Sequence, residues 1–305
     1  MPCRVLLRLL PFRVPVSYTH LRERYMDGLK LDNVSLTGFR SRMNEEEKSQ
    51  ATIEKYVRDV KHFIDFSCGR EVTKALVIEY KEELGRRYAV SSANSMIAAL
   101  NHFLRYCGFD GCCVKQFRLQ RQVYCPEEKE LTKEEYVRLV NTARALKNRR
   151  LELIIQTICG TGIRVSELRF ITAEAVRGGS ASVTCKRKTR TVFIPERLRK
   201  KLRSDCEEKG ITEGAVFVTG SGRPVNRCSI WREMKSLCSR ACVPPQKVFP
   251  HNLRHLFART FYNLEKDISK LADLLGHSSL NTTRIYIMES GRQHRMRIER
   301  MHLIL

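Results

Sequence analysis

An arginine between an isoleucine and a valine is poorly placed for solvent. In TGIRVSEL, residues 161 to 168, Arg164 interrupts an apolar, glycine-broken run that reads as helical, and a cation held there faces an anion. Further along, HNLR places His251 and Arg254 three residues apart, so that on a helix they share a face and can address one phosphate. Lys186 in CKRKTR, His277 in LLGH and Tyr286 in TRIY complete a set of cationic and nucleophilic positions. Taken singly, each has a plainer explanation: His277 as a helix-end residue, Tyr286 as core packing, Glu167 as a helix partner of Arg164. Taken jointly they describe a phosphate site with a hydroxyl beside it. His251 and His255 are four apart, but the intervening NLR lacks the glutamate of the metalloprotease motif, so no metal site is expected.

The elements that must carry these residues follow from periodicity. NEEEKSQATIEKYVRDVKHFIDF places Ile53, Tyr56, Val57, Val60, Phe63 and Ile64 at three- and four-residue spacing, which predicts an amphipathic helix. TKALVIEYKEELGRR predicts a second, and SSANSMIAALNHFLRYCG a third, with Met96, Leu100, Phe103 and Leu104 on one face and Gly108 as its stop. These helices make a domain over residues 44 to 115. VKQFRLQRQVYCPEEKE turns from basic to acidic around Pro126 without a period, and residues 116 to 130 read as a linker. LTKEEYVRLV then opens a second domain, residues 131 to 305, with Thr132 and Glu135 spaced as a capping box. Helices are expected to about Arg169; ASVTCKRKTRTVFIP predicts a β-hairpin, and the remainder is helical again. Residues 1 to 43 read as a poorly ordered leader, because arginines and prolines break every apolar run of residues 1 to 25. Translation is expected to begin at Met26 or Met43.

Composition narrows the partner. The chain has 305 residues, 42% of them hydrophobic, and 56 Lys and Arg against 33 Asp and Glu give a formal charge of +23. That surplus favours a polyanion, nucleic acid foremost, while charge alone leaves a ribosomal or membrane-surface role open. Twelve cysteines without a CxxC pair or a clean signal peptide point to reduced thiols. No apolar run approaches the roughly 20 residues that span a bilayer, so a cytoplasmic protein without membrane association is expected.

TGIRVSEL, the hairpin lysine, HNLRH and LLGHSSLNTTRIY, in this order, resemble the tyrosine site-specific recombinases of the phage integrase and Xer class. The resemblance covers residues 131 to 290 and, more weakly, the helical domain before them, which looks like that family's core-binding domain. It implies a mainly α fold with a small β-hairpin in the catalytic domain, arranged as a two-domain DNA clamp. By the family pattern Tyr286 attacks the scissile phosphate and forms a 3′-phosphotyrosyl link, while Arg164 and Arg254 hold the non-bridging oxygens. Glu167 orients Arg164. Lys186 is the general acid for the leaving 5′-oxygen, with Lys188 as the alternative, because CKRKTR is shorter than the usual turn and lacks its glycine. His251 is the general base or proton shuttle, and His277 a hydrogen-bond donor to the phosphate.

The resemblance further implies no cofactor, metal or ATP, since the bond energy is retained in the phosphotyrosine. Implied partners are double-stranded DNA with inverted half-sites, three further copies in a homotetrameric synapse and DNA-bending accessory proteins. The apolar C-terminal residues Met301, Leu303, Ile304 and Leu305 would dock on a neighbouring copy. Integration or excision of a mobile element or prophage is the expected role. Xer-like chromosome or plasmid resolution, a type IB topoisomerase and a catalytically silent DNA-binding protein are the alternatives.

Overall fold

The computed structural model describes residues 33–119, 129–185, 188–287, 295–296 and 298–301. It divides into two compact units, Met1–Arg121 and Gln122–Leu305. The expected leader segment 1 to 25 and both Met26 and Lys186 lie outside the described residues, as do residues 302 to 305.

Four helices form the first unit: α1 Asn33–Glu45, α2 Gln50–Ser67, α3 Lys74–Arg87 and α4 Val90–Tyr106. The side chains of Ser49 and Thr73 accept backbone N–H groups at the starts of α2 and α3, supplying partners that a helix's first turn lacks. Removing an apolar stripe from water drives the packing. Ile53, Val60 and Phe63 of α2 bury with Val77, Tyr80 and Leu84 of α3 and Ile97, Leu100 and Phe103 of α4.

The structure corrects the expected bounds of this unit at both ends. Helix α1 occupies positions assigned above to the leader, and Phe39 and Met43 are fully buried in the shared core. Its stripe of Leu36, Phe39 and Met43 has helical spacing but is diluted by Gly38, Arg40 and Arg42, which masks it in a pattern search. A chain starting at Met43 would lose Leu36 and Phe39 from that core. At the other end, Phe117, assigned above to the linker, is held to α4: Asn94 accepts its N–H at 2.8 Å and donates to its carbonyl at 2.9 Å.

The second unit opens as the sequence predicts, with α5 Lys133–Ala145 started by the Thr132–Glu135 capping box. Helix α6 Arg149–Thr161 follows, then a 3-10 turn Val165–Phe170, the short α7 Ala173–Gly178, and strands β1 Ser180–Cys185 and β2 Lys188–Phe193. The strands pair antiparallel from Ser180 opposite Phe193 to Cys185 opposite Lys188, forming the only sheet among the described residues. Thereafter come α8 Glu196–Glu208, α9 Arg227–Ser236, α10 Cys238–Ala241, α11 Pro250–Glu265, α12 Ile268–Leu275 and α13 Leu280–Arg284. The expected fold class, mainly helical with one small hairpin, is the one observed. Helices α6 and α11 pack together around Ile154, Ile158 and Leu253, which brings the C-terminal end of α6 to the N-terminal half of α11. None of the described helices is long and apolar enough to cross a membrane.

Candidate active site

The site is organised by the chain reversal after α6. Gly162 ends that helix in the left-handed conformation, with φ of 65°, and its carbonyl is then free to accept from Arg254. Arg164 follows in extended backbone, φ −75° and ψ 148°, immediately before the 3-10 turn. This corrects the helical reading of TGIRVSEL: Arg164 and Glu167 pair across the start of a new turn, not along one helix. The Glu167 carboxylate accepts the Arg164 backbone N–H at 2.9 Å and its guanidinium at 3.0 Å. It also accepts both terminal nitrogens of Arg190, at 3.0 and 2.7 Å. Burial opposes the charge on Glu167, but the hydrogen bonds from Arg190 and Arg164 outweigh it and hold the carboxyl at about 2.

Among the described residues Arg254 is the largest fully buried side chain, 1% exposed, projecting from the second turn of α11. It donates to the carbonyls of Gly162 and, at 2.8 Å, Leu275, and to His277 Nε2 at 3.0 Å. Three of its five N–H groups are thereby engaged; the buried Nε–H has no partner. Burial, reinforced by Arg164, lowers its pKa to about 10, which leaves it a cation at neutral pH.

Because arginine can only donate, His277 Nε2 is an acceptor here. The proton therefore sits on Nδ1, which lies 2.8 Å from the Thr283 hydroxyl oxygen. The sequence expects His277 to donate to a phosphate. In this arrangement that nitrogen is occupied by Arg254 instead. Burial first, then Arg254 and Arg164, pushes His277 down to about 4.

Tyr286, in the 3-10 turn Ile285–Ile287 after α13, is buried among three imidazoles. Its hydroxyl lies 3.4 Å from His251 Nε2. Its ring stacks on His255 with centroids 4.2 Å apart, and His277 is 5.2 Å away. The Arg254 guanidinium carbon is 5.9 Å from the ring centre. His251 is lowered by desolvation and by Arg254 and Arg164; His255 is lowered to about 4, chiefly by burial and then by His251. Next to the tyrosyl oxygen stands an imidazole kept unprotonated by its surroundings, the state required of a proton acceptor.

The structure thus brings together Arg164, Glu167, His251, Arg254, His277 and Tyr286. Lys188 opens β2, opposite Cys185. Sequence reasoning missed three neighbours. Arg190 carries a legible signal: on a strand it shares a face with Val192, which is buried, while Phe193 on the other face is 67% exposed. An arginine on the apolar face of a strand needs an acid partner. His255 was weighed only as half of a metal pair, although its spacing from His251 already put it on the same helix face. Thr283 gives no signal in the sequence, since only the fold carries it under His277.

Guanidinium groups that converge where a hydroxyl meets a neutral imidazole suit phosphoryl transfer to oxygen. In chemistry of that kind, cations stabilise charge accumulating on phosphate oxygens and a neutral imidazole can accept a hydroxyl proton.

Comparison with known proteins shows the family. The profile described as Phage integrase family matches residues 129–292, and the one described as Phage integrase, N-terminal SAM-like domain, matches residues 36–107. Tyrosine recombinase XerA of Pyrococcus furiosus is 29% identical over 283 residues, covering 88% of this chain and 94% of that protein. Among solved structures, XerH site-specific recombinase bound to difH substrate superposes with a TM-score of 0.64 at 17% identity, covering 91% of this chain and 93% of that one. A lambda integrase tetramer bound to a Holliday junction gives 0.70 at 16% identity, covering 90% and 82%.

Proposed function

Since this chain belongs to the phage integrase family, we propose that it is a site-specific DNA strand transferase in which Tyr286 attacks the scissile phosphate. The attack forms a 3′-phosphotyrosyl bond and releases a 5′-hydroxyl. The observation that supports this reading is the Tyr286 hydroxyl, 3.4 Å from His251 Nε2 with Arg254 beside the ring. A tyrosine hydroxyl ordinarily titrates near 10 and is a weak nucleophile, so it needs both a proton acceptor and cationic help. His251 takes the proton. Arg164, the more exposed of the two arginines, and the remaining N–H groups of Arg254 hold the non-bridging oxygens. Lys186, or Lys188 in its place, protonates the leaving oxygen. For His277 to donate to the phosphate, Arg254 must turn from Nε2, with the Thr283 hydroxyl then donating to Nδ1.

The arginines supply the charge that a metal would otherwise bring, and the phosphotyrosine conserves the bond energy, so the reaction runs without metal or ATP. The substrate is duplex DNA with short inverted half-sites, exchanged within a tetramer of this chain whose C-terminal segments dock on neighbouring copies, with or without bending proteins. Residues 33 to 117 bind DNA as the core-binding domain, residues 118 to 130 link the two domains, and residues 131 to 305 are the catalytic domain. The setting is the cytoplasm. Integration or excision of a mobile element is one role. Coverage of 94% of a XerA protein favours a second, Xer-like resolution of joined replicons.

Covalent trapping tests the chemistry. Wild type and Tyr286→Phe are incubated, without divalent metal or ATP, with nicked duplexes built from the DNA flanking the gene. A denaturation-resistant protein–DNA band with wild type alone is expected, and sequencing the trapped DNA yields the core site. A band with Tyr286→Phe would overturn the assignment of the nucleophile, and tight binding without a band for either protein would favour a silent DNA-binding protein.

A further inference from the structure

Arg190 has no part in the mechanism above, yet from β2 it touches two separate segments of the site, the 3-10 turn at Glu167 and the turn at Gly276. It sits on β2, the strand that leads out of the lysine-bearing hairpin turn, and its side chain is only 13% exposed, against 34% for Arg164. Both terminal nitrogens are spent on Glu167, in a planar fork-to-fork pair. Its aliphatic part crosses Gly276, the residue before His277: a β-carbon there would stand 2.7 Å from Arg190 Cδ. Gly276 has φ of +66°, so the turn both requires glycine and leaves the space that Arg190 fills.

The charge balance explains why a second arginine is needed. Glu167 is buried, with its side chain 3% exposed, and a buried carboxylate demands full pairing. With Arg190 present, one carboxylate is shared between two guanidinium groups, and Arg164 contributes a single N–H from its side chain. Without Arg190, Glu167 would draw the Arg164 guanidinium onto both of its oxygens and away from an incoming phosphate.

We propose that Arg190 is a positioning residue: by neutralising Glu167 it keeps the Arg164 guanidinium available to the phosphate, and by packing on Gly276 it ties the hairpin to the His277 turn. The proposal rests on the strand-transfer reading and makes a prediction that a purely structural role does not. Removing the carboxylate should repair the loss of Arg190.

The experiment measures single-turnover covalent attachment of the full-length protein, at saturating concentration, to a nicked duplex carrying the core site recovered by trapping. Arg190→Met is expected to slow attachment about 10- to 100-fold, by analogy with the loss when a residue that orients a metal ligand is removed. Arg190→Lys, which keeps the charge but cannot form both planar bonds, should fall between Arg190→Met and wild type. Arg190→Met combined with Glu167→Gln should attach faster than Arg190→Met alone. A 5′-bridging phosphorothiolate, whose thiolate leaves without a general acid, should not restore the Arg190→Met rate.

Wild-type rates for Arg190→Met or Arg190→Lys, a double variant no faster than Arg190→Met, or recovery on the phosphorothiolate would each overturn the proposal, the last by assigning Arg190 to the hairpin lysine. Failure of wild type itself to attach would instead overturn the strand-transfer reading, and is seen before any variant is measured.

Discussion

Both units bury polar side chains, and the two sets behave differently. In the first unit Asn101 accepts the Val114 N–H at 3.0 Å and donates to its carbonyl at 2.8 Å, and Asn94 does the same for Phe117. Each amide is matched to one stretch of extended chain, and the pair acts as a clasp. In the second unit Arg254, Arg190, Glu167 and His277 converge from α11, β2, the 3-10 turn and the turn after α12. There the pairing is incomplete, since the Nε–H groups of Arg254 and Arg190 are buried without partners. A satisfied buried polar group fixes architecture, whereas a cluster with donors to spare, and with the guanidinium groups of Arg164, Arg190 and Arg254 to the one carboxylate of Glu167, suits an anionic ligand.

The comparison can be broken most sharply at the arginines. Arg164→Ala should slow covalent attachment by about 10²- to 10³-fold, the loss expected when one donor to a developing oxyanion is removed. Its melting temperature should change little, because Arg190 still pairs Glu167. Arg254→Ala should match that loss of rate and also destabilise the second unit by about 1–3 kcal/mol, since two buried carbonyls lose their donor. If Arg254→Ala proved as stable as wild type in denaturant titration, the site would owe nothing to it architecturally. Asn101→Ala should cost a similar 1–3 kcal/mol, roughly, by leaving Val114 unpaired, with no change in attachment rate at saturating protein. A large fall in rate would erase the distinction between clasp and site.

Acid should act on the second unit before the first. His255 and His277 are held at about 4, below the ordinary 6.5, so between these values the unfolded chain binds protons that the folded chain refuses. Stability then falls as pH falls through that window, and the contribution is complete above it. Glu167, at about 2 against 4.5, adds a further loss as pH falls from 4.5 towards 2. Thermal melts from about pH 7 to about pH 4 should show the decline, and His277→Asn should flatten it.

The smallest expected effect is His255→Phe. As a ring platform for Tyr286, a phenyl group should serve nearly as well, and attachment should stay close to wild type. A fall of about 10²-fold or more would make His255 a participant in proton transfer.

Much of this protein is legible without coordinates. Helices α2 to α4, the Thr132–Glu135 box and the hairpin each follow from local periodicity and capping, because those signals act within a few residues. The order of Arg164, His251, Arg254, His277 and Tyr286 sufficed to point to the phage integrase family. Helix α1 was hidden because a three-residue stripe among glycine and arginines is too weak a local signal, and only its burial in the core shared with the other three helices shows what it does. Arg164 read as helical for a different reason: it continues the apolar run of α6, but Gly162 ends that helix where Arg254 needs a carbonyl.

The sequence by itself therefore determined the elements and the types of group available for chemistry. Which nitrogen of His277 accepts, that Arg254 is spent on carbonyls 92 and 21 residues away, and that Glu167 is shared between Arg164 and Arg190 were decided by tertiary structure alone. A hydrogen bond depends on where two atoms meet and on what else competes for them, and residues so far apart in the chain meet only through the packing of everything between them.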